Sequence, residues 1–270
     1  MRINTNVASL QAQSSNSVNN KNTASSLEKL STGLQINKAS DNAAGLAIAD
    51  KLRTQASSLG QAIDNGNSGI AMLQIADQAM SEQSNILDII KTKLVQASTA
   101  TTSTDGVVAL DADIKKLVTQ IDNIAKDTNY NGINLISDSA GTAVAAEKIF
   151  QMGENATAQI TLKASINANT TGLAILTADM SIGTNAEASA LLATVDTALT
   201  TLSNMRSKVG STQNQVESSV RNLQVTQVNL KAAESVIRDV DYAAESANFN
   251  KLNIMAQAGT YAISQANAAQ

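Results

Sequence analysis

The apolar residues of this chain recur at alternating intervals of three and four, over stretches far longer than an ordinary domain helix. From Leu52, the residues Ala56, Leu59, Ile63, Ile70 and Leu73 keep this spacing past an interruption at Gly66. After a short phase change Ala76, Met80, Leu87, Ile90, Leu94 and Ala97 resume it. Such a stripe occupies one face of an α-helix of the coiled-coil type. At about 1.5 Å per residue the helix runs roughly 80 Å, too long for a compact domain. Proline would break it, and the chain has none. The segment TTSTDG, Thr101 to Gly106, punctuates the pattern. Val107, Leu110, Ile114, Leu117, Ile121 and Ile124 then form a heptad seam that is expected to run back antiparallel. Asn129, Asn131 and Gly132 are expected to end it. A further long helix carries Val195, Ala198, Leu202, Met205, Val209, Val216, Val220, Leu223, Leu230 and Ile237. The expected class is mainly α, with long antiparallel coiled-coil helices forming an elongated rod. Each seam taken alone fits a self-contained helical bundle equally well.

Between about Tyr130 and Gly183 the pattern changes. KIFQM (Lys148 to Met152) and TAQITLK (Thr157 to Lys163) are short, β-prone and broadly alternating, and they flank Gly153, Glu154, Asn155 and Ala156. This predicts a small β-hairpin. The remaining Ser/Thr/Asn-rich residues, with Gly141, Gly172 and Gly183, read as turns and surface loops. Two N-glycosylation triplets occur, Asn155-Ala156-Thr157 and Asn169-Thr170-Thr171.

Composition removes whole classes of function. With no His and no Cys there is no Ser-His-Asp triad, zinc-type site or disulfide. Aromatic residues at 2% leave little for base stacking, and a net charge of −4 argues against a nucleic-acid partner. No Gly-rich phosphate cradle is present and no cofactor is expected. No segment approaches the roughly 20 apolar residues of a membrane span, and the N-terminus lacks the apolar block of a secretory signal. The sequence therefore reads as soluble, without membrane insertion, and not exported by the general route. Asp239 and Asp241 beside Arg238 are the nearest thing to a carboxylate pair. Positions two apart on a helix point to different faces, so ion pairs within or between subunits are the expected role.

The two ends carry weaker stripes. Ile3, Val7 and Leu10 form one, Leu27, Leu30 and Leu34 another. Val240, Ala244, Ala247, Ile254, Ala258 and Tyr261 make an Ala-rich face at the other end. Alanine seams bury little at about 25 cal/mol per Å², and such segments are marginal alone. They are expected to be poorly ordered until a partner covers them.

The opening MRINTNVASLQAQ, the stretch LEKLSTGLQINKASDNAAGLAIADKLRTQ (Leu27 to Gln55) and the closing ESVIRDVDYAAESANFNKLNIMAQAGTYAISQAN (Glu234 to Asn267) resemble bacterial flagellin of the short type. The resemblance covers roughly 1–135 and 190–270. It implies that 1–44 and 235–270 pair as a coiled coil in the inner core of a flagellar filament. Residues 45–234 would then form an outer helical rod, with hairpin and loops at about 135–190. It implies core packing by Ile3, Val7, Leu10, Leu27, Leu30, Leu34, Ile254 and Tyr261. It also implies a structural, non-enzymatic subunit that polymerises with itself for swimming motility. Its partners would be an export chaperone, the filament cap and the hook-junction proteins. Export would use the flagellar secretion channel, with no signal peptide, to an extracellular flagellum. In SDNAAGLAIADKL, Ser40, Asp41 or Asn42 could cap a helix, and Gly45 is expected to supply the bend between the layers.

Two departures from the family pattern stand out. Members usually continue past QAN with a short apolar tail, so the stop at Gln270 reads as a trimmed end that puts unaided polymerisation in doubt. In NILDIIKTKLVQ (Asn85 to Gln96) many members carry an Arg and, four residues on, a Leu that an innate immune receptor reads. The matching positions here are Ile89 and Lys93, as in the subgroup that evades the receptor, and weak activation is expected. Related members are often O-glycosylated on exposed Ser and Thr of the central segment. The alternative reading is the hook–filament junction protein of the same superfamily. A non-flagellar coiled-coil scaffold would explain the heptads but not the paired terminal motifs.

Overall fold

The computed structural model describes residues 6–137, 147–162, 166–176 and 180–268. Five helices dominate: α1 (Val7–Thr32), α2 (Ala43–Ser98), α3 (Thr104–Asp127), α4 (Asn185–Arg238) and α5 (Tyr242–Ala268). As the missing proline allows, α2 runs 56 residues and α4 runs 54 without a break. Their ends carry the expected chemistry. The Asn6 side chain accepts the Ser9 N–H at 3.0 Å to start α1, and Gly33 stops it in the left-handed region (φ 73°), its N–H donating to Lys29. Of the three candidate caps before α2, Asn42 is used, accepting the Gly45 N–H at 2.9 Å. Ser103, within the segment read as punctuation, accepts the Gly106 N–H to start α3.

The chain divides into two compact units. One comprises residues 58–225, and the other comprises 1–57 with 226–270. In the first, α2 and α4 lie antiparallel, as the ion pairs Asp77–Arg206 and Lys91–Asp196 require. Helix α3 packs on them through Val107, Ile114, Val118, Ile121 and Ala125. Its buried core is continuous, with Leu87, Ile90, Leu94, Ile121, Val195, Ala198 and Val209 all shielded from solvent. The interruption read at Gly66 is a point of close approach inside the unbroken α2. A Cβ there would stand 2.5 Å from Val220 Cγ2 and 2.9 Å from Met152 Cε.

Two hairpins complete this unit. Strands β3 (Lys148–Gln151) and β4 (Gln159–Leu162) pair antiparallel, with Phe150 opposite Ile160, where the alternation predicts. Phe150, Ile160 and Leu162 point into the core. The other hairpin adds to the expectation that Asn129, Asn131 and Gly132 end a helix. Helix α3 stops at Asp127, and β1 (Asn129–Tyr130) pairs with β2 (Ile133–Asn134). Asn131 (φ 50°) and Gly132 (φ 76°) make the turn, the positive-φ pair that Asn-Gly supplies in two-residue hairpins.

The segment read as surface loops is corrected in part. Turns are present, but Ile166, Ala168, Leu173, Ile175, Met180 and Ile182 are buried. The polar content that suggested a surface instead satisfies backbone groups. Asn169 Oδ1 accepts the Gly172 N–H at 2.7 Å, and Gln83 Nε2 donates to the carbonyls of Ala168 (2.8 Å) and Ile121 (3.0 Å). Asn169 is fully buried, so its glycosylation triplet is inaccessible in the folded unit, whereas Asn155 is exposed. Gly141 lies outside the described residues.

Candidate assembly surface

Helices α1 and α5 pair along a stripe that the apolar periodicity did not reveal. The sheltered residues of α1 are Ser9, Ala12, Asn16, Asn19, Thr23, Ser26 and Leu30, and those of α5 are Glu245, Phe249, Leu252, Ala256, Gly259, Ile263 and Ala266. Both sets alternate by three and four, but α1 contributes small and polar groups, so a scan for apolar spacing passes over it. Polar contacts cross the seam. Asn6 Nδ2 donates to the Ala266 carbonyl at 2.9 Å, Ser26 Oγ to Glu245 Oε1, and the Tyr242 hydroxyl to the Leu30 carbonyl at 2.9 Å.

Other large apolar side chains of the two helices lie outside this seam. Val7 is 60% exposed, Leu10 and Leu27 55%, Ile254 67% and Tyr261 73%. The Ala-rich stripe of Ala244, Ala247, Ile254, Ala258 and Tyr261 is exposed as well. Leu30 and Leu34 are half-buried, and Ile3 lies outside the described residues. A folded domain leaves few large apolar residues exposed; their concentration on the outer sides of this helix pair marks contact surfaces.

The segment between α1 and α2 is tied to the break between α4 and α5. Gln35 N–H donates to the Arg238 carbonyl at 2.7 Å, Val240 N–H to the Gly33 carbonyl at 3.0 Å, and Leu34 pairs with Asp239 as an antiparallel bridge. Gly45 is buried in the first turn of α2, where a Cβ would meet Ile36 Cδ1 at 2.7 Å. Asp41 does not cap α2. Its carboxylate accepts the N–H groups of Lys38 (3.0 Å) and Asn37 (3.1 Å), which holds its carboxyl below the usual range. Lys38 is held protonated to higher pH than usual by its hydrogen bond and ion pair with Glu28 at 2.6 Å.

The RDVDY residues have structural work, and within the chain Arg238 forms its ion pairs with carboxylates other than the neighbouring aspartates. Asp241 Oδ1 caps α5 by accepting from Ala243 (2.9 Å) and Ala244 (3.2 Å), and Asp239 accepts from Ser235 Oγ at 2.6 Å. Arg238 reaches Asp50 (3.7 Å) and Glu234 (3.9 Å) instead of either neighbouring aspartate, Asp239 being taken by Ser235 and Asp241 by the start of α5. In the other unit, Ile89 is exposed on α2, while Lys93 is held by Asp113 of α3 at 3.1 Å. Among the described residues no helix is long and apolar enough to cross a membrane.

With this geometry in hand, similarity to known proteins is informative. Residues 3–141 match the family described as the bacterial flagellin N-terminal helical region, and residues 192–270 match its C-terminal helical region. A flagellin from Bacillus subtilis is 38% identical over 298 residues, spanning 99% of this chain and 96% of that protein. A flagellar filament 31.3 kDa core protein from Treponema maltophilum is 31% identical over 275 residues, again spanning 99% and 96%. A solved structure described as a putative flagellar hook-associated protein from Vibrio parahaemolyticus superposes with a TM-score of 0.59, covering 73% of this chain and 99% of that one. At 13% identity the last likeness shows the fold alone.

Proposed function

Since the chain belongs to the bacterial flagellin family and is a structural, non-enzymatic subunit that polymerises into the flagellar filament, we propose that its paired ends supply the inner contacts of that polymer. In this reading residues 1–44 and 235–270 form the inner layer and 45–234 the outer one. The observation that carries it is the inside-out character of the α1–α5 pair. Its mutual seam is largely small and polar on the α1 side, while Val7, Leu10, Leu27, Ile254 and Tyr261 stand in solvent. Burying such side chains between copies is worth about 25 cal/mol per Å², and contacts that do not close into a ring propagate as an open helix.

Gly45 supports the bend by letting Ile36, from the connecting segment, lie against the first turn of α2. Export through the flagellar secretion channel delivers the chain to the extracellular flagellum. An export chaperone holds the ends beforehand, and the filament cap and hook-junction proteins are its other partners. Ile89 and Lys93 replace the side chains that the innate receptor reads, so purified monomer is expected to activate reporter cells weakly.

The test is seeded assembly of the full chain, read by electron microscopy. Ile254→Asp and Tyr261→Asp are expected to abolish elongation while leaving the melting of the 58–225 unit unchanged. Normal filaments from both would overturn the assignment.

A further inference from the structure

We propose that Ser26 and Glu245, with Asn16 and Gly259, select the register in which α1 and α5 pair, and thereby the alignment of the outward apolar face. The cross-seam contacts keep one antiparallel stagger along the whole length. Asn6 stands opposite Ala266, Asn16 opposite Gly259, Ser26 opposite Glu245, and Leu30 opposite Tyr242. Apolar packing does not impose this stagger, because most α1 residues in the seam are serine, alanine, asparagine or threonine, which fit many partners. The polar groups do impose it. Ser26 is only 3% exposed, and its hydroxyl is donated to Glu245, which also accepts from Asn248 at 3.2 Å.

Sliding the pair by one heptad sets Ser26 against Leu252 and carries Glu245 to the Gly33 end of α1, leaving the hydroxyl without its acceptor. It also sets Asn16 against Ala266. In the observed register Asn16 lies against a glycine, where a Cβ would stand 2.9 Å from its Oδ1. A buried polar group that loses its partner disfavours a state by about tenfold or more. Coiled coils use a single buried polar residue in this way to choose register. The consequence for assembly rests on the function proposed above. Val7, Leu10, Val18 and Leu27 are exposed on α1 and Ile254 and Tyr261 on α5, and a heptad slip would displace the two sets by about 10 Å relative to each other.

The chain has no cysteine, so engineered pairs report register on a clean background. In the full chain, Asn19→Cys with Ala256→Cys, seam residues at the same stagger, reports the observed register, and Asn19→Cys with Ile263→Cys reports the slipped one. Disulfide yield is measured under mild oxidant in seeded filaments and in the free subunit. With Ser26 and Glu245 in place, the first pair is expected to close and the second not. Glu245→Leu should raise the slipped disulfide about tenfold relative to the native one and reduce filament yield, with Ser26→Ala doing so more weakly. Glu245→Gln, which keeps an acceptor oxygen, should restore the native pattern. A Glu245→Leu chain that closes only the native pair overturns the proposal. If that chain holds register while Ile254→Asp blocks elongation, the register proposal alone fails. If it slips and both variants still elongate normally, the assembly reading fails and the register assignment stands.

Discussion

The unit of residues 58–225 and the unit of the two chain ends are written in the same helical periodicity yet spend it differently. In the first, Leu87, Ile90, Leu94, Ile114, Ile121, Val195 and Leu202 close a core that needs no partner. In the second, the buried apolar residues among those described are Ile36, Ala49, Ala56 and Leu252, and two of these are alanine. Val7, Leu10, Leu27, Ile254 and Tyr261 lie outside. A period of three and four guarantees a stripe, but whether that stripe faces another part of the same chain or another copy depends on which stripe the tertiary pairing uses. Here α1 pairs through its small and polar side, and both helices keep large apolar side chains free.

The contrast can be broken most forcefully at its strong end. Leu87→Ala should destabilise the 58–225 unit by about 2–5 kcal/mol through lost burial and a residual cavity, measured by thermal or urea unfolding. Leu10→Ala, at an exposed position, should change subunit stability by less than about 0.5 kcal/mol yet slow seeded elongation. Equal losses of stability would mean that the two units do not differ as described. Next in size, Gly66→Ala forces a methyl into the space of Val220 and Met152 and should cost about 1–3 kcal/mol by overpacking. Gln83→Leu, which leaves the carbonyls of Ile121 and Ala168 without their donor, should cost a similar 1–3 kcal/mol.

The smallest expected effect is a pH dependence at the connecting segment. Asp41 has a folded-state pKa below its ordinary 3.8 because backbone N–H groups favour the carboxylate. Its contribution is therefore present above the unfolded value and is lost as pH falls through the folded one. Exposure keeps it modest. Asp41→Asn should flatten the stability profile below that ordinary value, while filaments as a whole weaken toward about pH 2 as paired carboxylates protonate. Lys38 has the opposite sign. Its raised pKa adds stability that is complete below its ordinary 10.5 and lost as pH rises through the folded value.

Much of the architecture was readable from residue order alone. The stripes through Leu87 and Ile90, through Ile114 and Ile121, and through Val195 and Leu202 identify the three long helices because each side chain repeats on one face within a few residues. The KIFQ and QITL strands announce themselves by alternation. Asn131-Gly132 also carried a legible signal, but its hairpin was masked by the adjoining helix end. The roles of Gly66 and of the segment holding Ile166, Leu173 and Ile175 were not legible. Each depends on which distant element arrives: Val220 and Met152 in one case, Gln83 in the other.

The sequence by itself determined that this chain forms long helices punctuated at Thr101–Gly106 and that its terminal motifs resemble those of flagellin, since periodicity and motif order are local properties. Only the tertiary structure decided which side of α1 meets α5, which residues set their stagger, and which apolar side chains are left for neighbours. Those choices rest on the fit of Ser26 to Glu245 and Asn16 to Gly259 across the seam, and complementarity between residues so far apart in the chain has no expression in the spacing of either helix.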